Sequence, residues 1–287
     1  MTSKKKPTFN LHGGRLGILA GSGDLPKNLL KQCTKDKLDH FAIYFKGQSE
    51  QDRDPDTPSK IVKLGQTQKT IDILKSENCT HIVFAGGIKR PGLFDIKPDL
   101  RTTKFFSKLG LGAVGDDRLL RAVRDELETE GFLIVGAHDI LPDLLTPVGV
   151  LTDKAPDDRA WQDIKTGWTV LDKLGKLDIG QACIVQQGVV LGVEAIEGTD
   201  ALIERCGQYL RKGGGGVLVK RSKPGQDKSL DLPTVGEVTI EKLADAGFAG
   251  VALEAKNSQI LHQTETVSCA NGKGLFVVGV TKKDLPK

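Results

Sequence analysis

Short apolar runs alternate with segments of helical periodicity over the first half of the sequence. Five runs have the length and composition of buried strands: 16–20, 41–45, 61–65, 81–85 and 132–136. Between them, apolar residues recur at intervals of three and four, as they do in amphipathic helices. This alternation is typical of a parallel sheet covered by helices. The pattern predicts an α/β fold with a Rossmann-like parallel-sheet domain at residues 15–145, preceded by a disordered tail at residues 1–14.

A different pattern follows a proline-containing stretch, which predicts a Pro-rich linker at residues 146–156. Trp161, Ile164, Trp168 and Leu171 then recur at three and four residues, so we expect a helix that buries both tryptophans. Two β-rich runs flank Gln187-Gly188, which predicts a hairpin, and further strand-like and helical runs alternate toward residue 280. The sequence therefore predicts a second, mixed α/β domain at residues 157–287, which would carry the catalytic residues.

Length, charge and cysteine content narrow the class of protein. At ~150 residues per domain, 287 residues fit two domains. The net charge of +4 is small, and no basic stripe is interleaved with stacking aromatics, so we expect no nucleic-acid binding. The five cysteines form no C-x-x-C motif, which fits a reducing cytosol and argues against a structural zinc. No apolar run approaches the ~20 residues of a membrane span and no signal-peptide pattern is present, so we expect a cytoplasmic protein.

Two predicted strands end in glycine-rich turns, which are candidate substrate contacts: Gly21, Ser22, Gly23, Gly86 and Gly87. Glycines let backbone N–H groups approach a ligand closely, and the start of the helix after Gly23 supplies a partial positive charge. Because the carboxyl ends of parallel strands meet at one edge of a sheet, both turns can line one crevice. Lys89 follows the second turn and would face a phosphate there. Such turns also occur for steric reasons alone, and Lys89 can equally lie in a solvated turn.

Three more candidates for substrate contact lie near the end of the first domain. The segment G-D-D-R-L-L-R begins a helix, and either Asp116 or Asp117 is a natural N-cap. His138 follows the strand that ends at Gly136, on the edge of the sheet where ligands usually bind. A hydrogen-bonded structural role is the alternative for this histidine.

The stretch from Glu194 to Gly236 carries acidic and basic side chains close to turns. The acidic residues are Glu194, Glu197, Asp200 and Asp231, and the basic residues are Lys220, Arg221 and Lys223. Carboxylates at loop positions can hold a hard divalent cation, and basic side chains can neutralise phosphate oxygens. Metal-assisted phosphoryl chemistry uses groups of these two kinds. The alternative is that Asp200 and Asp231 cap helices, and Lys220 to Lys223 form a solvated turn. Thr199 is itself the expected N-cap of the helix that follows.

The sequence resembles the UDP-2,3-diacylglucosamine pyrophosphatase family of lipid A biosynthesis, of the type unrelated to enzymes with the metallophosphoesterase fold. The motifs that carry the resemblance are L-G-I-L-A-G-S-G-D-L-P, F-A-G-G-I-K-R-P, G-D-D-R-L-L-R, G-F-L-I-V-G-A-H, L-D-I-G-Q, V-E-A-I-E-G-T-D-A-L and L-D-L-P-T-V-G. They occur in one order from about residue 16 to residue 280, and it is this order that makes the match specific.

The resemblance implies Mg²⁺-dependent hydrolysis of UDP-2,3-diacylglucosamine to UMP and 2,3-diacylglucosamine 1-phosphate (lipid X), with Mn²⁺ as a possible substitute ion. It implies that Asp231 is catalytic, as a metal ligand or general base, with a water attacking one phosphorus. The further metal-ligand candidates are Glu194, Glu197 and Asp200. The second-domain candidates for substrate contact are Gln181, Thr199, Lys220 and Thr234, with Lys220 as a phosphate clamp. A homodimer that transiently contacts the inner membrane of a Gram-negative bacterium from the cytoplasm is also implied.

Two other functions stay open at this point. A dinucleotide-dependent oxidoreductase needs a complete G-x-G-x-x-G and an acidic residue after the second strand. Here Pro26 stands where the third glycine belongs, and Lys46 follows that strand. A non-catalytic nucleotide-sugar binding module would keep the glycine turns and would not need Asp231. Release of UMP, assayed with and without Mg²⁺, separates the three functions.

Overall fold

The computed structural model describes residues 9–88, 98–109, 116–230 and 232–286. The protein divides into two compact units: Met1–Pro142 with Ser229–Asp231, and Asp143–Lys228 with Leu232–Lys287. Both units are α/β, as the sequence predicts.

The first unit is organised around one parallel sheet. Its described elements are β1 (Arg15–Ala20), α1 (Asp24–Lys35), β2 (His40–Phe45), β3 (Ser59–Val62), α2 (Thr67–Ser76), β4 (Cys79–Ala85), α3 (Leu100–Leu109), α4 (Asp116–Thr129), β5 (Leu133–Val135) and α5 (Ala137–Ile140). The strand order is β3-β2-β1-β4-β5, and every neighbouring pair is parallel. The predicted Rossmann-like sheet is therefore confirmed.

The interior of the first unit explains why its strands are almost continuously apolar. In β2, Phe41, Ile43 and Phe45 are buried in one core cluster, together with Ile71 and Leu74 of α2. Residues between them on the same strand are buried as well, because the strand is covered on both faces. A strand covered on both faces has no polar side to alternate with, so its sequence is a short apolar run.

The structured part of the first unit begins earlier than predicted. Residues 1–8 lie outside the described residues, but 9–14, which the sequence assigns to the tail, are described. Leu11 is buried, and its carbonyl accepts a hydrogen bond from the Gly14 N–H at 2.9 Å. One apolar side chain with a local turn is too short a pattern to be recognised as structure from the sequence.

The second unit is built on a mixed sheet. Its described elements are β6 (Gly149–Val150), α6 (Asp158–Gly175), β7 (Ala182–Gln186), β8 (Val189–Val193), α7 (Gly198–Gly207), β9 (Val217–Lys220), β10 (Thr234–Val235), α8 (Glu237–Asp245), β11 (Gly250–Glu254), β12 (Gln259–Ile260), α9 (Gln263–Gly272) and β13 (Phe276–Val280). The six-stranded sheet has the order β6-β13-β11-β9-β7-β8, and β10 pairs with β12 separately.

The direction of the strands confirms the predicted mixed character. The central strands β9, β11 and β13 are parallel, whereas β6 and β7 run antiparallel to their neighbours. The predicted hairpin at Gln187-Gly188 joins β7 to β8. Residues 146–156, which the sequence assigns to a linker, contribute β6 to the edge of this sheet. The two residues of β6 are too few for a periodic pattern, and the nearby prolines dominate the composition of the segment.

The tryptophan-containing helix forms as the periodicity predicts, with Trp168 buried as expected and Trp161 only partly buried. Asp157 caps α6 by accepting a hydrogen bond from the Ala160 N–H at 2.8 Å. Ile164 and Trp168 then pack with Val219 and the other inward residues on one face of the sheet. Helices α7, α8 and α9 bury their apolar residues in a second cluster, which includes Leu218 of β9. The two faces of β9 therefore belong to two different core clusters.

Candidate functional site

The carboxyl end of β9 brings together residues that are distant in sequence. Lys220 is the last residue of β9, and because β7 runs antiparallel to β9, Ala182 lies directly opposite it. Gln181 therefore lies at the same edge of the sheet. Glu194 follows β8, and its N–H donates to the Ala182 carbonyl, while Thr199 lies in the first turn of α7. The antiparallel return of β7 is what places all four candidates at one edge.

Hydrogen bonds connect these residues into a chain. The Lys220 Nζ donates to Thr199 Oγ1 at 2.8 Å and to the Thr234 carbonyl at 3.0 Å. Thr199 Oγ1 donates to Glu194 Oε1 at 2.5 Å, and Glu194 Oε2 accepts the Gln181 N–H at 3.0 Å. Lys220 is 3% exposed and Glu194 is 7% exposed. We call Gln181, Glu194, Thr199, Lys220 and Thr234 the lysine network; they are five of the candidates named from the sequence.

Thr199 has a different role from the one the sequence predicts. It is not the N-cap of α7 but lies inside its first turn. Its hydroxyl is used by Lys220 and Glu194, and no side-chain cap is present at this helix start. A threonine near a helix start is most often a cap, so its long-range partners were not evident in the sequence.

The segment that follows Asp231 is closely tied to the unit. Thr234 Oγ1 donates to the Leu232 carbonyl at 2.9 Å, and the Gln259 N–H donates to the Pro233 carbonyl at 2.8 Å. With the bond from Lys220 to Thr234, three successive carbonyls each accept a hydrogen bond. Asp231 itself lies outside the described residues.

The remaining acidic candidates do not join the lysine network. Glu197 pairs with Arg205 at 2.8 Å and accepts the Ala195 N–H. The pKa of Glu197 is held below its ordinary value, mainly by a hydrogen bond from its own backbone and also by Arg205. Asp200 pairs with Lys242 at 3.1 Å on the neighbouring helix α8. Among the residues described, no group of three or more His, Cys, Asp or Glu side chains is placed to hold a metal ion.

A polar pocket lies at the same edge of the sheet, on the opposite face of β9. Arg221 points toward α6, where its guanidinium lies 4.7 Å from the centre of the Trp168 ring and pairs with Asp172 at 2.8 Å. Glu254, at the end of β11, accepts hydrogen bonds from the Ser222 N–H and hydroxyl. The pocket has a volume of about 270 Å³ and is lined by Arg221, Ser222, Lys223, Pro224, Gly225, Gln226, Lys228, Glu254 and Asn257.

The partners of Arg221 were missed in the sequence analysis. Bonding to Arg221 holds the pKa of Asp172 below its ordinary range. Asp172 follows Trp168 by four residues on α6, so helical spacing places them on one face. The spacing of four residues in the sequence therefore indicates that Trp168 and Asp172 are neighbours. Nothing local connects either residue to Glu254, which lies on another strand.

In the first unit, the two predicted glycine turns lie side by side because β1 and β4 are neighbours. The Ser22 N–H donates to the Gly87 carbonyl at 2.8 Å, and the Gly87 N–H donates back to the Ser22 carbonyl at 3.1 Å. The Gly21 N–H donates to the Ala85 carbonyl at 2.7 Å. These three N–H groups therefore hold the turns to each other. A Cβ on Gly21 would lie 2.5 Å from the Gly87 carbonyl oxygen, so steric need accounts for that glycine.

We expect Gly21→Ala to destabilise the first unit by about 1–3 kcal/mol, because its methyl group would displace the backbone of the second turn. Gly87→Ala is the matched control. A Cβ on Gly87 meets nothing closer than Ser22 Oγ at 3.8 Å, so this variant should melt within about a degree of the parent. Thermal melting followed by circular dichroism measures both. Equal midpoints for the two variants would contradict the packing role of Gly21.

The other candidates of the first unit are placed less completely. Gly23 precedes α1 with φ of +98°, and no side-chain cap is present there. His138 lies in α5; its Nδ1 is buried and has no hydrogen-bond partner among the described residues, and its Nε2 is 3.7 Å from the Asp139 carboxylate. Of the remaining first-unit candidates, Lys89 lies outside the described residues. Asp116 and Asp117 are the first two residues of α4, and their side chains are not described.

The described helices give no candidate membrane span, since none of them is both long and apolar enough to cross a bilayer.

Comparison with known proteins gives a match along nearly the whole chain. The family model for the LpxI N-terminal domain matches residues 15–144, and the model for the LpxI C-terminal domain matches residues 147–278. The UDP-2,3-diacylglucosamine pyrophosphatase LpxI of Caulobacter vibrioides is 36% identical over 279 residues, which cover 95% of this chain and 99% of that protein.

Two solved structures show weak similarity to the chain. CobK precorrin-6A reductase aligns with a TM-score of 0.33 and 11% identity, over 96% of this chain and 90% of that one. An N5-carboxyaminoimidazole synthase from Aspergillus clavatus aligns with a TM-score of 0.26 and 10% identity, over 69% of this chain and 44% of that one. Similarity at this level supports no argument about fold or function.

Proposed function

We propose that this chain, which belongs to the LpxI family, hydrolyses the pyrophosphate bond of UDP-2,3-diacylglucosamine to UMP and 2,3-diacylglucosamine 1-phosphate. One observation carries the proposal: the similarity to the pyrophosphatase of Caulobacter vibrioides extends over 99% of that protein. It therefore includes both halves of the chain and is not confined to a nucleotide-binding turn. A relationship of this extent favours a shared reaction over a binding module that has kept only the glycine turns.

The reaction requires a water, a base and an electrostatically suited site. The oxygen of water attacks one phosphorus, the bridging P–O bond breaks, and its electron pair leaves with the other phosphate. A carboxylate can accept the proton of the attacking water. We assign this role, or that of a metal ligand, to Asp231 on the basis of the family resemblance. Lys220 donates to the carbonyl of Thr234, three residues along the chain from Asp231.

We also propose that the reaction needs Mg²⁺, with Mn²⁺ as a substitute. When bound, a divalent ion supplies charge neutralisation to the phosphates. The described carboxylates do not form a site for it. Both oxygens of Glu194 are occupied by hydrogen bonds, and Glu197 and Asp200 pair with basic residues. We therefore propose Asp231 and the substrate phosphates as the source of oxygen ligands for the ion.

The experiment that tests the proposed function is direct. The purified full-length protein is incubated with UDP-2,3-diacylglucosamine and Mg²⁺, and UMP and lipid X are quantified. We expect equal amounts of the two products, and none with heat-denatured protein. Binding of the substrate without release of UMP would favour the nucleotide-sugar binding module. A change in nicotinamide absorbance with the substrate would favour the oxidoreductase.

The acyl chains of this substrate have consequences for where the protein works. We propose that it acts in the cytoplasm and touches the inner membrane transiently, since a diacylated sugar partitions into bilayers. Co-sedimentation with vesicles that carry the substrate tests this contact, and failure to sediment would count against it. The homodimer implied by the family resemblance is tested by light scattering, where the mass of a single chain would exclude it.

A further inference from the structure

We propose that Lys220, Thr199 and Glu194 are positioning residues that hold the segment 232–234, next to the catalytic candidate Asp231. This proposal rests on the proposed function, because the importance of the segment comes from Asp231. It replaces two roles that the sequence favours, Lys220 as a phosphate clamp and Glu194 as a metal ligand.

The bonds of Lys220 carry the first step. Its Nζ donates to the Thr234 carbonyl at 3.0 Å, and only 3% of the residue is exposed. A phosphate clamp would present its ammonium group to the ligand, whereas this one lies in the interior and reaches a backbone carbonyl. The bond ties the end of β9 to β10, which begins at Thr234.

The segment next to Asp231 is held at each of its residues. Leu232 is 2% exposed, and its carbonyl accepts the Thr234 hydroxyl. The Pro233 carbonyl accepts the Gln259 N–H, and the Thr234 carbonyl accepts Lys220. Proline fixes one backbone dihedral of the segment as well. Of these bonds, the one from Lys220 is made by a charged donor, and such bonds are about twice as strong as neutral ones.

A buried ammonium group needs a compensating charge, and the structure provides one. Glu194 lies one hydroxyl away from Lys220, because Thr199 accepts from the lysine and donates to the carboxylate. The second oxygen of Glu194 is held by the Gln181 N–H. A metal ion bound to Glu194 would compete for the negative charge that compensates the ammonium group. The geometry therefore favours the counter-charge role.

Thr199 offers the cleanest test, since valine has nearly the same shape and lacks the hydroxyl. We expect Thr199→Val to lower kcat about tenfold or more with little change in KM, because small displacements of a catalytic group are costly. Thr199→Ser keeps the hydroxyl and should restore most of the loss. A phosphate clamp acting through Lys220 would instead show as a raised KM. An unchanged kcat in Thr199→Val, or no rescue by serine, would overturn the proposal.

Hydrogen exchange provides a readout that does not depend on activity. In Thr199→Val and in Lys220→Met, the amides of residues 234–236 should exchange faster than in the parent, by about tenfold or more. Lys242→Met is the matched control, because Lys242 is a lysine that pairs with Asp200 at the surface. Parent-level exchange rates in both Thr199→Val and Lys220→Met would contradict the positioning role, whatever activity the protein has.

A double variant guards against simple unfolding of Lys220→Met. Removing one member of the buried pair leaves a charge without its partner, whereas Glu194→Gln with Lys220→Met removes both. The double variant should melt closer to the parent than Lys220→Met does, yet its kcat should stay low. For Glu194→Gln alone, the Mg²⁺ concentration that gives half-maximal activity should stay at the parent value. A tenfold increase in that concentration would restore the metal-ligand role and overturn the proposal.

Discussion

Replacement of Asp231 by asparagine is expected to lower kcat by about a hundredfold or more and to leave the melting temperature nearly unchanged. Asparagine has almost the same shape as aspartate but cannot accept the proton of an attacking water, and loss of such a base typically costs 10²–10⁴ in rate. Its amide is also a weaker ligand for a hard cation. Substrate binding should persist, because asparagine keeps the size and shape of the aspartate side chain.

The asparagine variant separates the catalytic role from the capping role that the sequence leaves open. Asparagine caps helices about as well as aspartate, so a capping Asp231 would tolerate the change. Asp231→Ala should then cost about 1 kcal/mol of stability with activity largely intact. Asp245→Asn, an exposed change at the end of α8, serves as the control for altered net charge. Parent-level turnover in Asp231→Asn would end the catalytic assignment.

The sequence predicts the central strands β1, β2 and β13 well because they are buried on both faces. The run that contains Phe41 and Ile43 has no polar positions, and a run of that length indicates a strand covered on both faces. The tryptophan helix is predicted equally well, since its cap at Asp157 and its stripe through Trp168 are local signals. The edge strand β6 and the buried Leu11 lack such signals, because two residues and a single side chain define no period.

The sequence predicts which residues belong to the candidate site better than it predicts the hydrogen bonds between them. Lys220 and Glu194 are candidates because carboxylates near turns can hold a divalent cation and basic side chains can neutralise phosphate oxygens. Their link through Thr199 depends on β7 running antiparallel to β9, which is a property of the whole sheet. Helical geometry turned Asp200 toward Lys242 on α8 and away from Glu194. Proximity in sequence therefore overestimated how many acidic residues meet.

The glycine turns illustrate the same limit in the first unit. Glycines at the ends of β1 and β4 were correctly expected to lie at one edge of the sheet. If the two turns lie close enough to bond to each other, their N–H groups are used within the protein and are not free to bind a ligand. The N–H groups of Gly21 and Gly87 donate to the carbonyls of Ala85 and Ser22, so both are satisfied within the protein. The sequence cannot distinguish this outcome, because both uses require glycine.

Removal of divalent cations is expected to abolish turnover and to leave the fold intact. We expect excess EDTA to reduce the release of UMP to the background rate, and added Mg²⁺ or Mn²⁺ to restore it, because two linked phosphates require charge neutralisation during cleavage. The melting temperature should move little. The described carboxylates Glu194, Glu197 and Asp200 have partners within the protein, so they do not depend on an ion for their stability.

Two features of the metal titration decide the source of the ion's ligands. If the ion arrives with the substrate phosphates, binding of Mg²⁺ to the protein alone should be weak, and calorimetry without substrate should show no saturable site below the millimolar range that weak calcium and magnesium sites occupy. The parent and Glu194→Gln should then have the same Mg²⁺ requirement, whereas Asp231→Asn should stay inactive at any Mg²⁺ concentration. Full turnover in excess EDTA would remove the metal ion from the mechanism and leave Asp231 as the charged group assigned to the chemical step.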